Sequence, residues 1–327
     1  MRERRFGRLA WNVGEVGYGM WGIGGGPGGW TGADDDTGNA ALDEAVERGC
    51  NFFDTAWIYG RGHSERLLGA LLRRHPGRRI RIATKIPPKD RRFPSTRDSK
   101  LQDVFPEDHM WAYLRESIRN LGVDRIDLLQ FHVWQDEWAD DPAWQEPVRE
   151  MKRQGLIEGV GISVNRWEPT NVLRALDTGL IDSVQVIYNI FDQAPEDALF
   201  PACRERDIAV IARVPFDEGT LTGTLRRDTT WPEGDWRASY FVPENLEASV
   251  DRMERLAADM PEGMSMPELA LRFILAEPSV STVIPGMRTV AHVRSNTAAG
   301  RAEPLSDQVM AMLRGHRWDR EPTEWSQ

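Results

Sequence analysis

Eight strand-like apolar runs that alternate with amphipathic helical segments, and polar residues that close several of those runs, predict a (β/α)8 TIM barrel. A chain of 327 residues, 40% hydrophobic and 28% charged, can bury the core such a barrel needs, as one domain over 1–327 with an N-terminal extension and a C-terminal tail. The runs begin near Val16, Asn51, Ile80, Ile126, Glu158, Ser183, Ile208 and Ser281. A doubly wound open sheet shares the alternation, but its dinucleotide fingerprint is not evident at the first strand-to-helix turn.

Taken in order, the first run leads into Gly22-Ile23-Gly24-Gly25-Gly26-Pro27-Gly28-Gly29. This stretch lacks the lysine and the spacing of a phosphate loop and reads as a flexible connection. The helix after Asp36 carries Ala41, Leu42, Ala45 and Val46 on one stripe and Asp43, Glu44, Glu47 and Arg48 on the other, and Gly49 stops it. Phe52-Phe53-Asp54 then ends a run in a carboxylate, with Tyr59 one short loop later. The third run closes on Lys85, and the helix expected over 106–121 repeats Trp111, Leu114, Ile118 and Leu121 before Gly122. Ile126-Asp127-Leu128-Leu129-Gln130-Phe131 closes on His132. Long irregular stretches over 87–105, 132–147 and 215–244 are expected as substrate-side loops.

Composition excludes several classes of function. A net charge of −10 and pI near 5.3 argue against general attraction to nucleic acid or an anionic membrane. Cys50 and Cys203 give no disulfide framework, no apolar signal core follows the charged start, and no segment approaches a membrane span, so a cytoplasmic setting is expected. The six histidines show no paired ligand motif, so no metal is expected and a metal hydrolase is disfavoured.

Asp54, Tyr59, Lys85 and His132 each have a structural reading when taken singly: a turn cap, a packed ring, an exposed strand end, a satisfied core histidine. In a parallel barrel, however, the loops after the strands meet on one face, and these four follow adjacent strands. A tyrosine with a pKa of about 10 holds its proton near neutrality. A nearby lysine favours its phenolate, and a carboxylate keeps that lysine charged. A histidine donating to a carbonyl oxygen helps stabilise the alkoxide formed on reduction. Were these groups to reduce a carbonyl, no side chain would supply the hydride, and a nicotinamide cofactor would have to.

The segments 51–60, Ala83-Thr84-Lys85, 120–128 with His132, Gly159-Val160-Gly161-Ile162-Ser163 and Ile284-Pro285-Gly286 resemble those of the aldo-keto reductases across almost the whole chain. The resemblance implies that Asp54, Tyr59, Lys85 and His132 form a catalytic tetrad with Tyr59 as general acid. It also implies nicotinamide contacts from Ser163 and Gln185 and ring stacking by Tyr188. Val164 separates Ser163 from Asn165, where the family pairs serine and asparagine directly. The stretch 213–223, with Pro215, Gly219 and Leu221, resembles the family's pyrophosphate loop. Gly286, Arg288 and Asn296 fall in its nucleotide-binding segment, although His292 and Ser295 replace the usual glutamine and glutamate. A guanidinium engages two phosphate oxygens at once, so Arg288 favours NADPH over NADH. Arg294 reads as a solvated helix residue.

Met20, Trp21, Trp57, Phe93 and Trp134 are expected to line a substrate pocket. Trp111 reads as core, and Trp138 and Trp144 as a pocket cover or a loop anchor. The expected function is NADPH-dependent reduction of a small aldehyde or ketone, or the reverse oxidation of an alcohol. The alternative is a nicotinamide-nucleotide-binding regulatory or interaction subunit with little turnover.

Overall fold

A computed structural model describes residues 1–26 and 30–326, so Pro27, Gly28 and Gly29 of the glycine run lie outside the described residues. A hairpin comes first: β1 (Glu3–Phe6) pairs antiparallel with β2 (Trp11–Gly14). Eight parallel strands follow in chain order, β3 (Tyr18–Gly19), β4 (Phe52–Asp54), β5 (Arg81–Ile86), β6 (Ile126–Phe131), β7 (Ile157–Ser163), β8 (Ser183–Ile187), β9 (Ala209–Arg213) and β10 (Val280–Val283). Parallel bridges from Val16 to Val283 and from Gly19 to Gly286 bring the first and last strands together. The seam depends on glycine, because a Cβ at Gly19 would stand 2.6 Å from the Ile284 carbonyl oxygen, and on the other side of β3 one at Gly17 would stand 2.9 Å from the Phe52 carbonyl oxygen of β4.

The barrel strands alternate between two cores, as the two-residue period of a strand requires. Phe52, Ala83, Leu128, Ala209, Ile211 and Ile284 face the lumen and pack with Phe6, Trp11 and Val13 of the hairpin, which fills the floor. Phe53, Ile82, Leu129, Val184, Val210 and Val283 face the helices in a larger core. Phe6 stacks between Trp11 and Phe52 at 5.1 and 5.2 Å, and the Trp11 indole donates to Glu158 at 2.8 Å.

Between the strands run helices whose ends carry their own signals. Asp34 caps Asp35–Glu47 by accepting the Thr37 amide at 2.8 Å, and Glu107–Leu121 stops at Gly122, which takes φ 67°. Among the described residues no helix is long and apolar enough to cross a membrane. The stretch expected to be irregular over 132–147 is so only to Asp141, because the helix Pro142–Arg153 begins inside it. Trp138 of the loop donates to the Ser99 carbonyl at 3.1 Å, and Trp144 of that helix to the Trp138 carbonyl at 2.8 Å. Trp138 from within the loop and Trp144 from the helix both anchor it. Trp111, expected in the core, is half-buried on its helix, with the Arg115 guanidinium 5.3 Å from its ring.

Candidate active site

Asp54 and Lys85 occupy the last lumen-facing positions of β4 and β5, because each lies two residues beyond a floor residue, Phe52 and Ala83. Both are almost fully buried. The Lys85 ammonium donates to Asp54 Oδ2 at 2.5 Å, to the Thr55 carbonyl at 2.9 Å and to the Tyr59 hydroxyl at 3.5 Å. The other Asp54 oxygen accepts from Gln130 at 2.9 Å and Gln185 at 2.7 Å. His132 sits edge-on to Tyr59 with ring centroids 5.9 Å apart, and Phe93 lies on its other side at 5.0 Å. The four residues expected from separate segments therefore stand in one cluster. His132 Nδ1 is buried with no hydrogen-bond partner among the described residues.

Burial is the strongest influence on these groups. It raises the Tyr59 phenol above its ordinary range, and the opposing pull of Lys85 does not cancel it. Burial also disfavours the Lys85 ammonium, but Asp54 and Tyr59 together outweigh it and the lysine stays charged. His132 falls well below its usual value through burial, then through the charges of Lys85 and Arg213, so its imidazole is neutral at pH 7. A neutral imidazole offers one N–H to a carbonyl oxygen.

The mouth of the barrel is aromatic. Trp21 lies 6.4 Å from Tyr59 and 4.8 Å from Trp236 of the 215–244 loop, and Phe93 borders His132. Trp57 packs edge-on to Tyr113 at 4.8 Å beneath the Arg91 guanidinium. Two of the expected pocket residues are placed elsewhere. Met20 is fully buried in the helix-side core, and Trp134 is enclosed by Phe131, Trp138 and Trp144. Asn165 clasps two loops, donating to the Trp134 carbonyl at 2.8 Å and the Ser95 carbonyl at 3.2 Å.

Ser163 ends β7 in register with Gln185 of β8, whose amide reaches Asp54. Tyr188 departs from its expected stacking role. Its ring packs on Phe200 at 4.9 Å and Phe273 at 5.5 Å, and its hydroxyl donates to Glu196 at 2.7 Å. The reason is parity: Gln185 faces the lumen, so a residue three positions on faces the helices. Pro215, Gly219 and Leu221 lie in the loop after β9, where the Leu221 side chain is buried in the core and leaves only backbone to a ligand. Gly219 takes φ 119°, and beyond β10 a Cβ at Gly286 would meet no atom within 4 Å. Asn296 is buried on the helix Val290–Ala299, while Arg288 donates to the carbonyls of Thr31 and Gly32, each at 2.9 Å. Arg294 pairs with Glu44 on the surface.

The sequence profile of the Aldo/keto reductase family matches residues 15–317. The chain belongs to this family. It is similar to the uncharacterized oxidoreductase YqkF of Bacillus subtilis, at 31% identity over 97% of this chain and 96% of the relative. It is also similar to the NADH-specific methylglyoxal reductase of Escherichia coli, at 29% identity over 96% and 98%. Among solved structures, an aldo-keto reductase from Bacillus halodurans in its holo form superposes with a TM-score of 0.77 at 26% identity, covering both chains completely. The glycerol dehydrogenase of Gluconobacter oxydans gives 0.76 at 26% identity over 96% of this chain and 94% of that one. The protein is accordingly an oxidoreductase of carbonyl and alcohol groups.

Against the family pattern, two lumen residues went unrecognised in the sequence. Gln130 lies two positions before His132 on the same face of its strand and helps hold Asp54, but it is embedded in an apolar run. Arg213 closes β9 on the lumen face set by Ala209 and Ile211 and donates to the Val164 carbonyl at 3.0 Å. Burial, then the neighbouring Arg166, lowers its guanidinium to about 10. Arg213 opens the stretch 213–223 that resembles the pyrophosphate loop, and its polarity at an inward strand position is a signal the sequence carries.

Proposed function

We propose that this member of the family reduces a small aldehyde or ketone to the alcohol with NADPH, Tyr59 acting as general acid. The observation that carries the reading is Lys85, held by Asp54 within 3.5 Å of the Tyr59 hydroxyl at the barrel mouth, with His132 facing the same ring. Tyr59 gives its proton to the carbonyl oxygen as negative charge develops there. Lys85, kept charged by Asp54, stabilises the phenolate left behind. Neutral His132 donates a second hydrogen bond and orients the carbonyl. The burial that makes the resting phenol a weak acid also keeps it protonated until substrate arrives.

The residues present suit a nicotinamide dinucleotide, which supplies the hydride when bound. Ser163 and Gln185 border the tetrad and offer a hydroxyl and an amide to a carboxamide. Gly219 and Gly286 leave open the space a side chain would fill, so backbone amides stay accessible to phosphate. Arg288 rims a cavity of about 220 Å³ shared with Asp34, Thr289 and His292. Thr289 caps the helix Val290–Ala299, so Arg288 and that helix N-terminus favour an anion in the cavity, against the Asp34 carboxylate that caps Asp35–Glu47 on the same rim. This supports a 2′-phosphate and hence NADPH, although the family includes both the NADH-specific reductase of Escherichia coli and the aldo-keto reductase yakc [NADP(+)] of Schizosaccharomyces pombe.

Trp21, Trp57 and Phe93 suit a substrate with an apolar or flat portion next to its carbonyl. The test is to mix purified protein with NADPH or NADH and a broad carbonyl panel and follow the loss of reduced nicotinamide absorbance. Turnover with faster oxidation of NADPH supports the reading. Tight nucleotide binding without turnover on any carbonyl would instead favour a regulatory subunit.

A further inference from the structure

The loop after β9 holds an unusual backbone. Val214, Asp217 and Glu218 take φ of 55°, 45° and 55°, and Gly219 takes 119°. Side-chain-bearing residues seldom adopt such angles, and a β-branched valine least readily, so the surroundings must impose them. Those surroundings are charged and buried. Arg320, in the C-terminal tail, is 4% exposed and donates through Nε to Asp192 Oδ1 at 3.1 Å and through Nη2 to Asp217 Oδ1 at 2.7 Å. Its Nη2 also contacts Asp192 Oδ2.

The guanidinium lies 4.5 Å from the ring of Trp167 and 4.4 Å from that of Trp318. Arg166 reaches Glu218 at 2.7 Å, and Asn189 donates to Asp192 at 2.8 Å and to the Val214 carbonyl at 3.0 Å. The tail is docked independently of Arg320, since the Trp318 amide donates to the Phe191 carbonyl at 2.8 Å and Arg317 pairs with Asp197. One tail residue thus ties the segment after β8 to the strained loop after β9.

We infer that Arg320 is a positioning residue for the cofactor: its fork across Asp192 and Asp217 holds the 214–219 loop in the conformation that receives the dinucleotide's diphosphate. This rests on the reading that the loop after β9 binds that diphosphate. A planar guanidinium can bridge two carboxylates, whereas an ammonium on a flexible stem is a point charge and cannot reproduce both contacts. Without the bridge the loop is free to leave its strained angles, and the fraction ready to bind falls. Apparent affinity falls in proportion.

The experiment measures NADPH dissociation constants by tryptophan fluorescence, with thermal unfolding recorded alongside, for the wild type, Arg320→Lys, Asp217→Asn and Asp192→Asn. Asparagine tolerates positive φ, so Asp217→Asn removes the ion pair while sparing the backbone angle. The Asn189 amide can still donate to an asparagine at 192. A competent fraction reduced to about one tenth raises the dissociation constant about ten-fold in Arg320→Lys and Asp217→Asn, with a comparable rise in Asp192→Asn because the bridge needs both ends, while thermal unfolding shifts little. Wild-type affinity in Arg320→Lys or Asp217→Asn, or a loss of affinity that only tracks an equal loss of thermal stability, would overturn the inference, because a merely structural network lowers affinity only through stability. Failure of the wild type to bind NADPH or NADH would instead overturn the reading on which it rests.

Discussion

At Tyr59 two effects oppose each other: burial disfavours the phenolate, and the Lys85 ammonium 3.5 Å away favours it. Because burial wins in the resting site, Tyr59 stays protonated past its ordinary value. Reduction should therefore run on a plateau at neutral pH and fall only as pH rises through the elevated Tyr59 pKa. His132 is already neutral there, so no break is expected near the ordinary histidine value of about 6.5. In Lys85→Met the lowering influence is gone, so the alkaline fall moves to still higher pH while the plateau rate drops about 10²-fold. A pH–rate profile of the chemical step checks both, and superimposable profiles for variant and wild type would remove Lys85 from the mechanism.

The strands were the most legible elements, because apolar runs and turn residues mark them directly. The expected starts at Ile126 and Ser183 coincide with β6 and β8, and those at Asn51, Ile80, Glu158, Ile208 and Ser281 each fall one residue from the observed boundary. β3 is only Tyr18–Gly19, since the glycines that permit closure at the seam also shorten the regular strand. What the sequence obscured was direction. Ring stacking by Tyr188 needs it on the lumen side, yet it lies just past β8 three residues from Gln185, where continued strand alternation turns it to the helices. The hairpin carries no alternation in the sequence, because Arg4 and Arg5 interrupt it, and only the closed barrel shows that Phe6 and Trp11 plug the floor. Phe6→Ala should lower unfolding stability by about 3–5 kcal/mol, read from urea denaturation, with cofactor affinity unchanged because the floor lies at the opposite end from the tetrad. A loss of affinity without a loss of stability would contradict that separation.

Across the whole molecule, closure of the sheet turns residues from distant segments into neighbours. Asp54 and Gln185, 131 positions apart, meet at 2.7 Å, an approach that no local pattern encodes. The clustering of Asp54, Tyr59, Lys85 and His132 is legible because they end or follow adjacent strands, whereas the aromatic mouth depends on how loops cross, as Trp21 and Trp236 do. The central claim is that this assembly delivers a proton from Tyr59 to a carbonyl oxygen. Single-turnover reduction by Tyr59→Phe, with cofactor bound and a carbonyl that the wild type reduces, tests it most directly. The rate should fall by about 10²–10⁴-fold while cofactor binding is retained. A variant that matches the wild-type rate would contradict the account.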